Sequence, residues 1–450
     1  MKRIAILAAL GACSSSPKPV EPSTPIAAPE PSPPPPVEQP ASIVPDTAAG
    51  KALAAWLDAF NSADAARMKA FADQYKAPPH SVDAGFRAQT GGFELMSVDK
   101  SEPRFVRFVV KEKSSPTTAV GWLKLGDADP ATVDTFRLRA IPQGLSAKDM
   151  EGTVDPATRD RVIDAIVAKL AEYYVYPDVA KKMEVELRQR QRQAAYDVTD
   201  AQELANLLTS HLREVSKDRH LVIAWMPNVL PEVDPEPTAD DKAQMEKQLR
   251  EQMNCMFEKS EMLDGDIGYI KFNAFADPAV CGPKVTEAFA AVRNAKSLII
   301  DLRDNGGGQP EMVAYVSSYL FAKKTHLNDL YDRKENKTTQ YWTKPDVPGT
   351  KLAKQPVYVL TSSRTFSGAE EFAYNLKNLK RAKIVGETTG GGAHPTTMKR
   401  LDAHFAIGVP FARAINPITK KNWEGTGVEP DIKVPADQAL DKAKELAAKR

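Results

Sequence analysis

SLIIDLRDNGGG (Ser297–Gly308) is an apolar run that ends in a polar corner and three glycines, and Pro310 follows after a single residue, Gln309. The run is too short for a helix and has no polar face, which is the pattern of a strand buried on both sides of a parallel sheet. Proline suits a first helical position because its φ is already set, so a helix is expected from Pro310 to Phe321. The glycines let backbone N–H groups turn toward a ligand, as an anion-binding corner requires; alone, the triplet reads equally well as a tight structural turn. Similar units flank it. Ile267 to Phe272 reads as a strand, Lys284 to Arg293 as a helix, Val357 to Thr361 as a strand, Ser367 to Leu379 as a helix and Lys383 to Gly386 as a strand. This alternation predicts an α/β core with parallel strands.

Upstream the patterning changes. Asp155-Pro156 is a good N-cap and first-turn pair, and Val162, Ile163, Ile166, Val167, Leu170 and Tyr174 then recur on one helical face. Two more helical stretches, Val179 to Tyr196 and Thr199 to Ser216, complete a helical subdomain. Earlier still, Leu53, Trp56, Leu57, Phe60 and Met68 have helical spacing, interrupted by a turn at residues 61–64. Four strand-like runs follow, at Phe93–Met96, Phe105–Val110, Ala119–Leu125 and Val133–Arg139. Helices followed by a meander predict a small α+β domain, one that looks like the cone-shaped folds related to nuclear transport factor 2. The expected organisation is a signal peptide over 1–12, an anchor and linker over 13–46, the small domain over 47–150, the helical subdomain over 151–228 and the catalytic core over 229–450.

The first residues read as a targeting segment. Met1-Lys2-Arg3 is positive, Ile4 to Ala12 is apolar but too short to span a bilayer, and Leu10 to Cys13 has the small-residue pattern of a lipoprotein cleavage site. That resemblance implies lipidation of Cys13 and, with Ser14 to Ser16 following, a periplasmic protein anchored to the outer membrane. An ordinary signal peptide is the alternative. Twelve prolines between Pro17 and Pro45 favour an extended tether over a packed core. A net charge of +1 with no strongly basic block argues against a nucleic-acid partner. Cys255 and Cys281 would pair in an oxidising compartment or stand as two buried thiols.

Four further stretches carry chemistry: VYVLTSSRTFSGAEEF (Val357–Phe372), IVGETTGGG (Ile384–Gly392), NWEGTGVEPD (Asn422–Asp431) and DRHLV (Asp218–Val222). Ser367 falls where a turn enters a helix, so its oxygen lies at the positive end of the dipole, beside N–H groups able to hold an oxyanion. Any one of these serines is also a good N-cap. Together with Asp301–Gly308, in this order, the stretches resemble the S41-type peptidases of the C-terminal processing clan, which includes the tricorn core protease and the modules of interphotoreceptor retinoid-binding protein. The resemblance runs from about Gly152 to Val434 and implies a ClpP/crotonase-like β-β-α catalytic core.

On that resemblance Ser367 is the nucleophile. The best-known branch draws its base from a lysine after the Gly-Glu-x-Thr element, but Gly391-Gly392-Ala393 stands there. A serine without a base is a poor nucleophile. The tricorn-like branch uses a histidine held by a carboxylate, which maps onto His220 and Glu424, with His394 as the competing base. The N–H groups of Gly368 and of Gly307 or Gly308 would form the oxyanion hole. No His, Cys and Asp grouping has metal-ligand spacing, so neither metal nor cofactor is expected. Only 42 residues separate Trp225 from Gly268, too few for the inserted PDZ domain of the processing branch. A helix from Thr238 to about Phe257, with Met245, Leu249, Met253 and Met256 on one side, is expected there as core packing or as a lid. The implied activity is hydrolysis of extended or unfolded envelope polypeptides, with extended peptide added beside a sheet edge. The alternatives are a non-catalytic hydrophobic-ligand or peptide-binding module, or an esterase. Sequence does not give the oligomeric state.

Overall fold

The computed structural model of the protein describes residues 43–127, 132–233 and 235–449. Cys13, the signal peptide and almost all of the Pro-rich stretch lie outside them. Two compact units are present, one built mainly from residues before 138 and the other from the rest.

The first unit opens with α1 (Ala48–Asn61), α2 (Ala65–Tyr75) and α3 (Ala84–Thr90). Thr47, Asp64 and Asp83 cap these helices with their side-chain oxygens. A four-stranded sheet follows in the order β1 (Phe93–Glu102), β2 (Phe105–Glu112), β3 (Thr118–Leu125) and β4 (Val133–Ala140). Trp56 anchors this unit, fully buried with Phe60, Phe93, Phe108 and Phe136 around its ring.

The second unit begins with α4 (Pro156–Tyr173), α5 (Pro177–Arg192), α6 (Ala201–Ser216) and β5 (Val222–Trp225). After α7 (Ala239–Lys247) come β6 (Phe257–Leu263), β7 (Ile267–Phe272), α8 (Pro278–Ala291), β8 (Ser297–Asp301), α9 (Pro310–Ser318), β9 (His326–Asp332) and β10 (Lys337–Trp342). The chain continues through β11 (Val357–Thr361), α10 (Gly368–Asn378), β12 (Lys383–Gly386), β13 (Thr396–Arg400), β14 (Phe405–Pro410), β15 (Ala412–Ile415), β16 (Ile432–Lys433) and α11 (Ala439–Ala448).

The centre is a six-stranded sheet in the order β16-β12-β11-β8-β7-β6, parallel except for β6. Every residue of β8 and β11 is buried, as a run without a polar face requires. Leu298, Ile300, Val357 and Val359 pack toward α8, α9 and α10, while Ile299, Tyr358 and Leu360 pack toward α11. The alternation is the two-residue period of a strand covered on both faces. A second sheet, β13-β14-β5, closes the helical core of α4, α5 and α6. A third has the order β10-β9-β15. The chain is therefore an α/β protein with a helical subdomain, and an α+β unit precedes it.

One expectation is shortened. The helix foreseen from Thr238 to Phe257 is α-helical to Lys247, continues as a π-helical turn over Gln248–Gln252 and stops there, and no residue of either part is buried. Met245 and Met253 are exposed, and Leu249 alone of the predicted apolar face packs against the core. The break has a local cause: Asn254, Cys255 and Met256 all take positive φ, Cys255 is bonded to Cys281 of α8, and the chain must straighten at Phe257 to pair with β7. Helical spacing over 238–257 could not register a crosslink and a sheet edge. The short strands β6, β9, β10, β13, β14 and β15 also went unforeseen.

Candidate active site

The corner that holds Ser367 is built by two parallel neighbours. β8 and β11 both end in polar turns, and these turns bond to each other. Ser362 Oγ donates to Arg303 O (2.5 Å), Thr365 Oγ1 to Leu302 O (2.8 Å) and the Phe366 N–H to Asn305 O (3.0 Å). Ser367 then enters α10 with φ 55° and ψ −121°, a conformation a non-glycine residue holds only where its surroundings impose it. The imposing group is Glu370, which is fully buried. Its carboxylate accepts from the Ser367 N–H (2.8 Å), Thr389 Oγ1 (2.5 Å), the Gly391 N–H (2.6 Å) and the Gly392 N–H (2.8 Å). Burial pushes its pKa up while those donors pull it down. Four donors aimed at one side chain require an acceptor-only carboxylate. Glu370 was quoted in the sequence motif without a role.

The glycines explain how closely the corners approach. Gly307 has φ 102°, and a Cβ there would fall 2.7 Å from Ser367 Cβ and from Gly368 N. A Cβ on Gly368 would stand 3.0 Å from Gly308 N and O. Of the three nominated oxyanion glycines, Gly307 gives its N–H to Asn305 Oδ1 (2.9 Å), which orders its own loop. The N–H groups of Gly308 and Gly368 donate to no described residue.

His220 approaches from the other sheet, between α6 and β5. Asp218 Oδ1 accepts its backbone N–H (3.0 Å), and its ring lies 4.6 Å, centroid to centroid, from that of Phe366, the residue before Ser367. Gly392 leaves the space for it: a Cβ there would fall 2.6 Å from His220 Cε1 and 2.3 Å from Phe366 Cζ. Any side chain at 392 would collide with the imidazole and with Phe366, which accounts for the glycine. Burial lowers the His220 pKa to about 4, so the ring is neutral and able to accept a proton at ordinary pH. Its Nδ1 is 3.9 Å from Asp218 Oδ1, and one atom each of Asp218, His220 and Glu424 lie within 4.8 Å of one another. Glu424 Oε2 accepts the Ala393 N–H (2.6 Å). Burial, and then the charge of Asp218, raise the Glu424 pKa to about 7.

One member of this cluster, Asp218, was missed as functional, and another, His394, was foreseen only as a competing base. Asp218 is completely buried and accepts from His394 Nδ1 (2.6 Å) and Tyr174 OH (3.3 Å). His394 is buried too, with Nδ1 also 3.3 Å from Glu424 Oε2. His394 was weighed only as a rival base; its described polar contacts are both to carboxylates. The signal for Asp218 was its place two residues before His220, where a carboxylate after a helix reads as a turn former. Asp218, His220 and Glu424 are also the one grouping among the described residues with metal-ligand types. The expectation of no metal site rested on spacing and did not foresee it. The other histidines are engaged locally: His80 with Phe136 O, His211 with Tyr196, His326 with Asp329 and His404 with Met226 O.

Residues 266–434 match the family model described as peptidase family S41, and residues 157–260 match the N-terminal domain of Peptidase_S41 in eukaryotic IRBP. The second match takes in α4 to β5 and leaves the α+β unit unmatched. Carboxyl-terminal-processing peptidase 2, chloroplastic, of Arabidopsis thaliana is 29% identical over 38% of this chain and 32% of its own length. The carboxy-terminal processing protease CtpA of Bacillus subtilis is 27% identical over 39% of this chain and 36% of its own length. The chain thus spans about a third of the length of these relatives. Among solved structures, a photosystem II D1 C-terminal processing protease aligns with a TM-score of 0.40 and 14% identity, over 66% of this chain and 98% of that one.

Proposed function

The chain belongs to peptidase family S41, and from that premise we propose that it is a serine endopeptidase acting on extended or unfolded polypeptides, with Ser367 as nucleophile, His220 as general base and Glu424 as the carboxylate that orients the base. The observation that carries the reading is the seat of the His220 ring: against Phe366, in the hollow of Gly392, with Asp218 and Glu424 grouped about it. In this reading neutral His220 takes the Ser367 hydroxyl proton as Oγ attacks the carbonyl carbon of the substrate. The oxyanion is received by the Gly308 and Gly368 N–H groups, each worth about 3–4 kcal/mol in the barrier. The imidazolium that forms is stabilised by Glu424 and Asp218, and it returns the proton to the leaving amine. Water, deprotonated by the same imidazole, then releases the acyl group. Hydrolysis needs only these side chains and amides. We place the protein in the bacterial envelope, tethered through Cys13, on the sequence reading alone. The non-catalytic alternative is less favoured because nucleophile, base and carboxylate are all present.

Replacing Ser367 with Ala tests the assignment. Turnover of an unfolded casein-like substrate and labelling by a fluorophosphonate should both vanish, with the melting temperature within about 2 °C of the parent. Retained turnover would remove Ser367 from the mechanism. Labelling of the parent protein without peptide cleavage would move the activity to esters.

A further inference from the structure

We propose that the outer edge of β13 is the strand to which the substrate's main chain adds, and that Met398 meets an apolar side chain of that peptide. This rests on the peptidase reading and specifies how the site takes hold of its substrate.

The sheet β13-β14-β5 has two edges, and they differ. On β5 the ladder pairs Val222 with Gly408 and Ala224 with Ala406, and strand alternation turns Leu221 and Ile223 outward. Those outward groups are occupied. Thr209 Oγ1 accepts the Ile223 N–H (2.8 Å) and lies 3.3 Å from Ile223 O, and Arg213 Nε donates to Leu221 O (2.8 Å). Side chains of α6 therefore close this edge to any added strand.

On β13 the bonded pairs are fixed by the flanking bonds, Phe411 N–H to Pro395 O (3.1 Å) and Leu401 N–H to Phe405 O (2.7 Å). The same alternation points the N–H and C=O of Thr396, Met398 and Arg400 away from β14. No described residue bonds any of those six groups. An edge with three free donors and three free acceptors is a template for an extended chain.

Position ties this edge to the chemistry. Gly392, held to Ser367 through the Glu370 carboxylate, precedes Thr396 by four residues, so the start of β13 is at most about 14 Å along the chain from that loop. Four or five residues of extended peptide cover such a span. Met398 is 49% exposed, and a Cβ on Gly408 would lie 3.3 Å from its sulfur and 3.6 Å from His220 O. An exposed thioether beside the base's own backbone offers an adaptable apolar contact. The substrate class this favours is unfolded chain carrying an apolar residue a few positions from the cleaved bond, recognised mostly through its main chain.

The test uses full-length protein with Ser367→Ala and a ten-residue casein peptide scored in parallel for cleavage by the parent enzyme. Amide exchange is followed residue by residue with and without peptide. Exchange at Thr396, Met398 and Arg400 should slow at least tenfold while Leu221 and Ile223 are unchanged. In the parent, N-methylation of alternate peptide amides should raise KM at least tenfold and leave the intervening positions within threefold. A peptide that is cleaved without protecting β13, or whose KM ignores N-methylation, overturns the edge assignment and leaves the peptidase standing. A peptide that protects β13 but is never cut keeps the edge and retires the proteolytic reading. A peptide that is neither bound nor cut overturns both.

Discussion

The nucleophile's side of the site and the base's side are held in different ways. Around Ser367, one carboxylate collects four donors, and the two turns that meet there exchange three more hydrogen bonds. Around His220, three buried polar atoms have no partner among the described residues: His220 Nδ1, His394 Nε2 and Glu424 Oε1. A buried polar atom left unpaired costs about 1–3 kcal/mol. The backbone that presents the nucleophile and the oxyanion amides is therefore complete without substrate, whereas the hydrogen bond that would orient the base is still open. Contacts of this kind commonly tighten only in the complex with substrate, and the orphan atoms mark where the tightening would occur.

The sharpest break of the comparison falls on the base's side. With Glu424→Gln the imidazolium loses its counter-charge and the ring its orienting acceptor, at nearly unchanged volume. The expected loss in kcat is on the order of 10³–10⁴, measured under substrate saturation, with stability preserved. If kcat falls less than about tenfold, Asp218 rather than Glu424 is the orienting group.

On the nucleophile's side the corresponding change, Glu370→Gln, acts first on the fold. An amide has one accepting oxygen and each carboxylate oxygen takes two of the four donors, so two donors are left facing an NH2 group. Stability should fall by about 2–3 kcal/mol in denaturant titrations, and kcat by roughly tenfold as Ser367 relaxes toward ordinary φ. Equal stability of the variant would show that the four donors do not need a carboxylate and would dissolve the contrast between the two sides.

The same division explains what could be read in the sequence. Strands β7, β11 and β12 have the bounds expected from their apolar runs, since a strand buried on both faces writes its length directly into composition. Ser367, Gly307, Gly308 and Gly368 sit in two short motifs whose members touch. The base's side is assembled from residues 174, 218, 220, 394 and 424, each ordinary in its local context. Asp218 looks like a turn former and His394 like a lone imidazole; only the folded chain puts both beside Glu424. The edge strand β13 was illegible for a related reason, because a partly exposed strand of five residues carries too little alternation to stand out. The helix expected over 238–257 failed where a disulfide and a pairing strand overruled local spacing.

The smallest effect is also the most specific to the base's side. Glu424 must be ionised to hold the imidazolium, and its pKa is raised to about 7, whereas His220, lowered to about 4, is already neutral there. Activity should therefore climb as pH rises through about 7, and that limb belongs to the carboxylate. Asp218→Asn removes the neighbouring negative charge that contributes to the raised value, so the Glu424 carboxyl should ionise more readily and the limb of the kcat profile should move to lower pH by roughly one unit. The plateau should drop by about tenfold, because the neutral amide would be a poorer acceptor for His394 Nδ1 and would offer His220 no counter-charge. A limb that stays in place in the variant would mean that burial alone sets the Glu424 value. A limb near pH 4 in the parent would mean that the titrating group is His220, and that Glu424 enters the reaction already charged.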